Sequence, residues 1–131
     1  MERAIEKALL DTSFLIDFLR GRQAAKVRWD ALVREGVLLG CCAVNVEEVY
    51  AGMKPGEEEI TASFLNALRY FPLSRAAARK AGEYRREYRL RGVTLHTPDA
   101  LIAGVCAVFR LALVTRNVDH FPMKDFPVLD Y

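Results

Sequence analysis

Acidic side chains occur at three points of the sequence where an apolar segment meets the start of a helical pattern. Asp11 follows the apolar run 8–10, Glu48 comes shortly after the apolar run 37–44, and Asp99 opens an apolar helix. Ligands bind at the carboxyl ends of strands in open α/β sheets, so we expect these carboxylates to meet at one edge. Carboxylate oxygens suit hard cations such as Mg²⁺ and Mn²⁺. The pattern therefore predicts metal-dependent displacement at phosphorus, as in a nuclease or phosphatase.

Each of these acids also has a simpler structural explanation. Asp11 is a favoured residue type for a helix N-cap. Asn45 and Glu48 have the spacing of a capping box. Asp99 follows Thr97 and Pro98, which are strong helix-start signals, and would complement the helix dipole there. Crowded carboxylates repel one another unless a cation is present, and no Lys or Arg accompanies them in these segments. The combination favours a cation site over three unrelated caps.

Further polar residues follow the last long apolar strand of the sequence. Asn117 or Asp119 would add a fourth polar group at the same edge. His96 and His120 do not have metal-ligand spacing. His120 is interpreted as a structural residue in a turn, although its place near the edge leaves a catalytic role open.

Alternating apolar strands and amphipathic helices predict the elements that position these residues. Continuous apolar runs are typical of buried parallel strands, so we expect an α/β fold with a central parallel sheet. The predicted strands are 7–10, 37–44, 70–73, 111–115 and 127–129, and the predicted helices are 14–20, 23–34, 45–52, 57–69, 74–91 and 97–109.

Length and composition indicate one folded domain, 1–131, that we expect in the cytoplasm. Hydrophobic residues make up 52% of the chain, which is enough for a core, and no apolar run is long enough to span a membrane. The charged start lacks the apolar region of a signal peptide. Cys41, Cys42 and Cys106 lie in apolar runs and are interpreted as free buried thiols of a reducing compartment.

The net charge of +2 is too small to indicate nucleic-acid binding, so any basic surface must be local. Predicted helix 74–91 carries the main concentration of basic residues. Arg85, Arg86 and Arg89 on this helix are candidate RNA contacts, and an ordinary solvated face is the alternative. Glycine-rich phosphate loops are absent from the sequence, and Ser13 stands where a phosphoryl-acceptor domain would carry a second acid.

Four segments occur in the order found in PIN-domain ribonucleases, and the chain most closely resembles the VapC-type toxins of toxin–antitoxin pairs. The segments are LLDTSFLIDFL at 9–19, EVYAG at 48–52, TPDALIAG at 97–104 and LVTRNVDHF at 113–121. The resemblance implies a three-layer α/β/α fold with sheet order 3-2-1-4-5. It also implies an Mg²⁺-dependent endoribonuclease, an antitoxin partner and a homodimer.

The resemblance assigns the acidic core to Asp11, Glu48 and Asp99, and Thr12 matches the small hydroxyl residue after the first Asp. Asn117 stands where many PIN domains carry a fourth Asp, and Asp119 is the alternative at this point. A non-catalytic PIN-like module that binds RNA or a protein is the competing function. We expect the homodimer interface to use apolar residues of the tail, with Phe121, Phe126 and Tyr131 as the candidates.

Overall fold

A sheet of five parallel strands lies at the centre of the computed structural model, which describes residues 4–131. The strands are β1 Lys7–Leu10, β2 Leu38–Cys41, β3 Arg69–Tyr70, β4 Ala112–Val114 and β5 Val128–Leu129. Their spatial order is β3-β2-β1-β4-β5, so the predicted order is confirmed. The order reverses between β1 and β4, and a crevice is expected at the carboxyl ends of these two strands.

Six α-helices cover the two faces of the sheet. They are α1 Thr12–Leu19, α2 Gln23–Arg34, α3 Ala43–Ala51, α4 Glu58–Ala67, α5 Arg75–Leu90 and α6 Thr97–Phe109, and a 3₁₀ turn spans Val118–His120. Successive strand residues point to opposite faces. Leu9 packs with α5 and α6, whereas Leu10 packs with α1, α2 and α4. The predicted three-layer α/β/α arrangement is therefore confirmed.

Several predicted boundaries differ from the observed ones, and two of the differences fall near candidate site residues. Helix α3 begins at Ala43, because the Asn45 side chain accepts a 2.9 Å hydrogen bond from the Cys42 backbone N–H and starts the helix early. Asn45 is thus the third helical residue, and the predicted capping box between Asn45 and Glu48 does not form. Helix α6 has His96 at its N-cap, whereas the start signals at Thr97 and Pro98 predicted Thr97 as the N-cap and Pro98 as the first helical residue.

The long basic helix α5 has a capped start and a buried stripe. The Ser74 hydroxyl accepts a hydrogen bond of 3.1 Å from the Ala77 backbone N–H. The buried residues of α5 are Ala77, Ala81, Tyr84 and Tyr88, and they pack against α6. Gly104 allows this contact, because a Cβ atom there would overlap the Ala77 carbonyl oxygen. Close approach of the two helices fixes the N-terminal end of α6 relative to the sheet.

The three cysteines are buried and free, as predicted. Burial raises the pKa of the Cys41 thiol to about 11, so it is protonated and unreactive at neutral pH. No helix among residues 4–131 is long and apolar enough to cross a membrane.

The C-terminal aromatic residues pack within the chain. Phe121 and Phe126 are buried in the core on the α5–α6 side of the sheet. The Tyr131 ring meets the Phe14 ring edge-on, with centroids 5.0 Å apart, and its hydroxyl donates to buried Asp17 over 2.7 Å. The prediction that Phe121 and Phe126 line a dimer interface was wrong, because both rings already fill the core of one chain.

Candidate active site

An open cavity of about 400 Å³ lies at the carboxyl ends of β1, β2 and β4, beside the start of α6. Asp11, Glu48 and Asp99 all line it, each on a different element of the fold. The cavity wall is completed by Thr12, Ser13, His96, Pro98, Asn117 and His120. Within residues 4–131, no lysine or arginine contributes to the wall.

Asp11 is the most buried of the three acids, with 5% of its surface exposed. It follows β1 directly and occupies the N-cap position of α1, so its predicted capping position is correct. One carboxylate oxygen accepts from the Thr12 backbone N–H over 2.9 Å, and the other accepts from the Thr115 hydroxyl over 2.6 Å. Contacts on both oxygens fix the orientation of this carboxylate at the base of the cavity.

Glu48 is held by a chain of hydrogen bonds that begins at a buried amide. The Asn45 side-chain amide donates to the Thr12 hydroxyl oxygen over 3.3 Å, and the Thr12 hydroxyl donates to Glu48 over 2.6 Å. Asn45 is completely buried, and its amide oxygen simultaneously accepts from the Cys42 backbone. Thr12 therefore links the carboxylate on α3 to the start of α1.

Asp99 lies in the first turn of α6 and has a histidine partner. Its carboxylate is 3.3 Å from Nδ1 of His120, which stands in the 3₁₀ turn after β4. Protonation of His120 would make this contact an ion pair. The sequence favoured a structural role for His120 in a turn and left a catalytic role open, and the structure places His120 in the cavity wall.

The segment after β4 contributes a backbone contact and two exposed polar side chains. The Asn117 backbone N–H donates to the Thr115 hydroxyl oxygen over 3.0 Å, and the Asn117 residue lines the cavity beside Asp11. Asp119 lies outside this cavity and lines an adjoining depression of about 150 Å³, which Asp99 and His120 share. Of the two candidates for a fourth polar group, Asn117 lines the same cavity as Asp11, and Asp119 does not.

Electrostatics disfavour the charged forms of two of these acids. Burial raises the pKa of Asp11, the hydrogen bond from Thr115 opposes that shift, and the nearby charge of Asp99 raises the pKa further. Burial also raises the pKa of Asp99, with His120 lowering it and Glu48 raising it. A divalent cation among these groups would relieve both the desolvation and the mutual repulsion.

The donor chemistry fits a hard cation, although the side chains do not form a closed ligand set. Asp11, Glu48 and Asp99 offer only carboxylate oxygens, as Mg²⁺ and Mn²⁺ prefer. In the described part of the chain, however, no three His, Cys, Asp or Glu side chains stand close enough to hold a metal ion between them. The cavity of about 400 Å³ is also much larger than a single metal ion. A bound ion would therefore draw the carboxylates together.

The predicted RNA contacts lie apart from the cavity. Arg85, Arg86 and Arg89 are all exposed on α5, the helix that packs beside α6. Within residues 4–131, no carboxylate forms an ion pair with these three arginines. Their location leaves them open to a ligand without placing them on the reacting centre.

Sequence reasoning missed Thr115 and the role of Asn45 in the site, and it left the role of His120 undecided. A signal for Thr115 existed, because the predicted order places strands 1 and 4 side by side and so pairs their ends. The signal for His120 was its position shortly after strand 4, near the edge where the acids were expected to meet. The role of Asn45 depends on where α3 begins, and the apolar run 37–44 concealed that boundary.

Comparisons with known proteins agree with this fold. The PIN domain family matches residues 8–126. Ribonuclease VapC10 of Mycobacterium tuberculosis (strain ATCC 25618 / H37Rv) is 36% identical over 115 residues, which cover 88% of this chain and 86% of that protein. Ribonuclease VapC19 of the same strain is 33% identical over 121 residues, covering 92% and 95%.

Solved structures give the same picture of the fold. The VapBC2 complex of Rickettsia felis, bound to a DNA fragment from its promoter, contains a chain that matches with a TM-score of 0.81. That match is 20% identical and covers 95% of this chain and 98% of the other. A toxin–antitoxin complex of Klebsiella pneumoniae matches with a TM-score of 0.74 at 29% identity, covering 92% and 98%. The chain therefore belongs to the PIN-domain family, and its relatives within that family are VapC-type proteins.

Proposed function

We propose that this protein is an Mg²⁺-dependent endoribonuclease and the toxin of a toxin–antitoxin pair. The observation that carries the proposal is one cavity lined by Asp11, Glu48 and Asp99, with raised pKa values at Asp11 and Asp99. A helix cap does not require acids from three elements to face each other. Ribonuclease relatives that span nearly the whole chain support RNA as the substrate.

Asp11, Glu48 and Asp99 would hold the cation through carboxylate oxygens, and Mn²⁺ could take the same place because its preferred ligands are alike. When bound, such an ion polarises a phosphodiester and lowers the pKa of water. Thr115 and Thr12 keep the carboxylates of Asp11 and Glu48 turned toward the cavity. Asn117 and His120 would orient the RNA strand at the rim, since both reach the cavity from the turn after β4.

The test combines cleavage with direct metal binding. Purified protein should cleave RNA internally with Mg²⁺ or Mn²⁺ and stop when EDTA is added. Asp11→Asn removes a charge but keeps the shape and one oxygen, so it should fold, bind Mn²⁺ more weakly by calorimetry, and cleave slower by orders of magnitude. Asp30→Asn is the matched control, because Asp30 is exposed on α2 and lines neither the cavity nor the adjoining depression. Cleavage at the wild-type rate by the Asp11→Asn variant would remove the catalytic assignment.

A partner protein follows from the same relatives. Structural neighbours are toxin–antitoxin complexes, and we propose a cognate antitoxin that binds this chain in the cytoplasm and suppresses cleavage. Co-expression with the product of an adjacent small reading frame should give a stable complex without RNase activity. The homodimer rests on the family resemblance, and light scattering of the purified chain tests it.

The alternative of a non-catalytic PIN-like module would bind RNA or protein without cutting. It gives no reason for acids from β1, α3 and α6 to share a cavity. Binding of RNA without any metal-dependent cleavage would favour it over the enzyme.

A further inference from the structure

Helix α5 presents a row of arginines directly away from the core. At about 100° per residue, Arg75, Arg79, Arg86 and Arg89 fall within about 80° of one another. All four are exposed, and the buried residues of α5 lie on the opposite side of the helix. We refer to these four residues, with Gly82 among them, as the arginine row. It is about 21 Å long from end to end.

Acidic residues of α5 lie to one side of the row. Glu83 pairs with Arg79 at 3.5 Å, and Glu87 pairs with Arg91, which is not part of the row. Among the residues that the structure describes, no carboxylate pairs with Arg75, Arg86 or Arg89. An ordinary solvated helix face would alternate charges. This face instead keeps three guanidinium groups unneutralised.

Gly82 interrupts the row and has no packing reason to be glycine. It is exposed in the interior of α5, and a Cβ atom there would meet no atom within 4 Å. Glycine in a helix interior is unfavourable relative to alanine, so the residue costs stability without filling a tight contact. Its structural effect is a gap in the side-chain surface of α5 between Arg79 and Arg86, which we call the low point of the row. Such a low point lets a ligand backbone come close to the helix.

The row leads toward the cavity. Helices α5 and α6 are joined by residues 91–96 and pack antiparallel, so the Arg89 end of the row lies at the Asp99 end of α6. The depression of about 150 Å³ is lined by residues 93–96 and shares His96, Asp99 and His120 with the cavity. The depression therefore extends from the acidic cavity along residues 93–96, which belong to the segment that follows the C-terminal end of α5.

We propose that the arginine row binds the sugar–phosphate backbone of the RNA on one side of the cleavage point, with Gly82 as the place of closest approach. This inference rests on the proposed function and specifies how the substrate is held. Phosphates complement the three row arginines that have no carboxylate partner, and an RNA strand that enters the cavity can follow the depression toward them. The earlier candidates Arg86 and Arg89 belong to the row, whereas Arg85 lies at its edge.

The test measures binding without cleavage, using a labelled oligouridylate and the full-length protein in EDTA. Arg86→Gln with Arg89→Gln should weaken binding roughly tenfold and lower the slope of log affinity against log salt by about 1.4, at about 0.7 per phosphate contact on single strands. The control is Lys26→Gln with Arg34→Gln on α2, which removes the same charge from the opposite face of the sheet. Its RNA affinity should stay within about twofold of wild type, since distant charges are screened by salt and contribute little.

Gly82→Gln separates binding from folding. Glutamine favours helix and fills the low point without adding charge, so the variant should melt about 3–5 °C higher than wild type and yet bind RNA severalfold more weakly. Ala76→Gln adds the same bulk to α5 outside the row and should not change binding. Wild-type affinity and salt slope in both row variants would overturn the proposal, as would displacement of RNA by polyglutamate of equal charge.

These outcomes distinguish a failure of the arginine row from a failure of the proposed function. If the protein fails to cleave RNA with Mg²⁺ while the row variants lose binding, the nuclease assignment fails and the arginine row stands. If it cleaves RNA while the row variants bind normally, the row is discarded and the nuclease assignment stands.

Discussion

The Thr115 hydroxyl donates a 2.6 Å hydrogen bond to Asp11 Oδ2 from the end of the neighbouring strand. The parallel register pairs Leu10 with Val114, so the next residue of each strand comes together at the sheet edge. Thr115 is completely buried and also accepts the Asn117 backbone N–H. One hydroxyl thus orients the carboxylate and anchors the turn that carries Asn117.

Thr115→Val should therefore weaken both folding and cleavage. The variant keeps the shape of the side chain but removes a hydrogen bond to a charged group, which is worth about 1.5–3 kcal/mol. The pKa of Asp11 should rise further, because the bond from Thr115 lowers it. Denaturant unfolding and the Mg²⁺ dependence of RNA cleavage are the measurements. Thr115→Ser retains the hydroxyl and should recover most of the stability and most of the cleavage activity. A Thr115→Val variant as stable as wild type would contradict the role given to this hydrogen bond.

The sequence was most informative where a residue's position depends on strand order. Apolar runs predicted the strands, and the strand ends then brought Asp11, Glu48 and Asp99 to one edge. It was least informative where a single hydrogen bond sets a boundary. The run 37–44 is apolar throughout, so its pattern does not reveal that Asn45 accepts from Cys42 and ends β2 at Cys41. Such a bond connects a side chain to a backbone group, and hydrophobic periodicity carries no record of it.

Asn45→Ala should destabilise the fold strongly, although it removes only a small side chain. It leaves the buried Cys42 N–H without its acceptor and removes the amide donor to Thr12, at a cost of about 2–3 kcal/mol. Glu48 should then lose its fixed orientation, so cleavage should fall even at temperatures where the variant is folded. Glu47→Gln on the exposed side of α3 is the control and should change neither property. Unfolding by urea together with single-turnover cleavage provides the measurement.

Two glycines in helix interiors should respond in opposite directions to alanine. Gly104→Ala places a methyl group against the Ala77 carbonyl and should destabilise by about 1–3 kcal/mol through overpacking. Gly82→Ala meets no neighbour and should stabilise by about 1 kcal/mol through helix propensity. Thermal unfolding of the pair gives the comparison. Equal changes of melting temperature, with the same sign in both variants, would mean that α5 and α6 do not approach as closely as described.

The C-terminal contact of Tyr131 with Asp17 should make stability depend on alkaline pH. Burial and the hydrogen bond to Asp17 raise the pKa of Tyr131 to about 12, compared with 10.0 for the free side chain. The folded state therefore holds the phenol proton more tightly than the unfolded state. The resulting stability is fully present below pH 10 and is lost as the pH rises through about 12.

Tyr131→Phe should consequently be less stable than wild type by about 1–2 kcal/mol at neutral pH, because it lacks the hydrogen bond to a carboxylate. The ion pairs of Asp17 with Arg116 and Arg22 are retained in this variant. The difference in unfolding free energy between wild type and Tyr131→Phe should shrink as the pH rises through the range in which Tyr131 ionises. Urea unfolding at a series of alkaline pH values measures it, with exposed Tyr50→Phe as the control. A stability difference that stays constant with pH would show that the Tyr131 hydroxyl does not bond to Asp17.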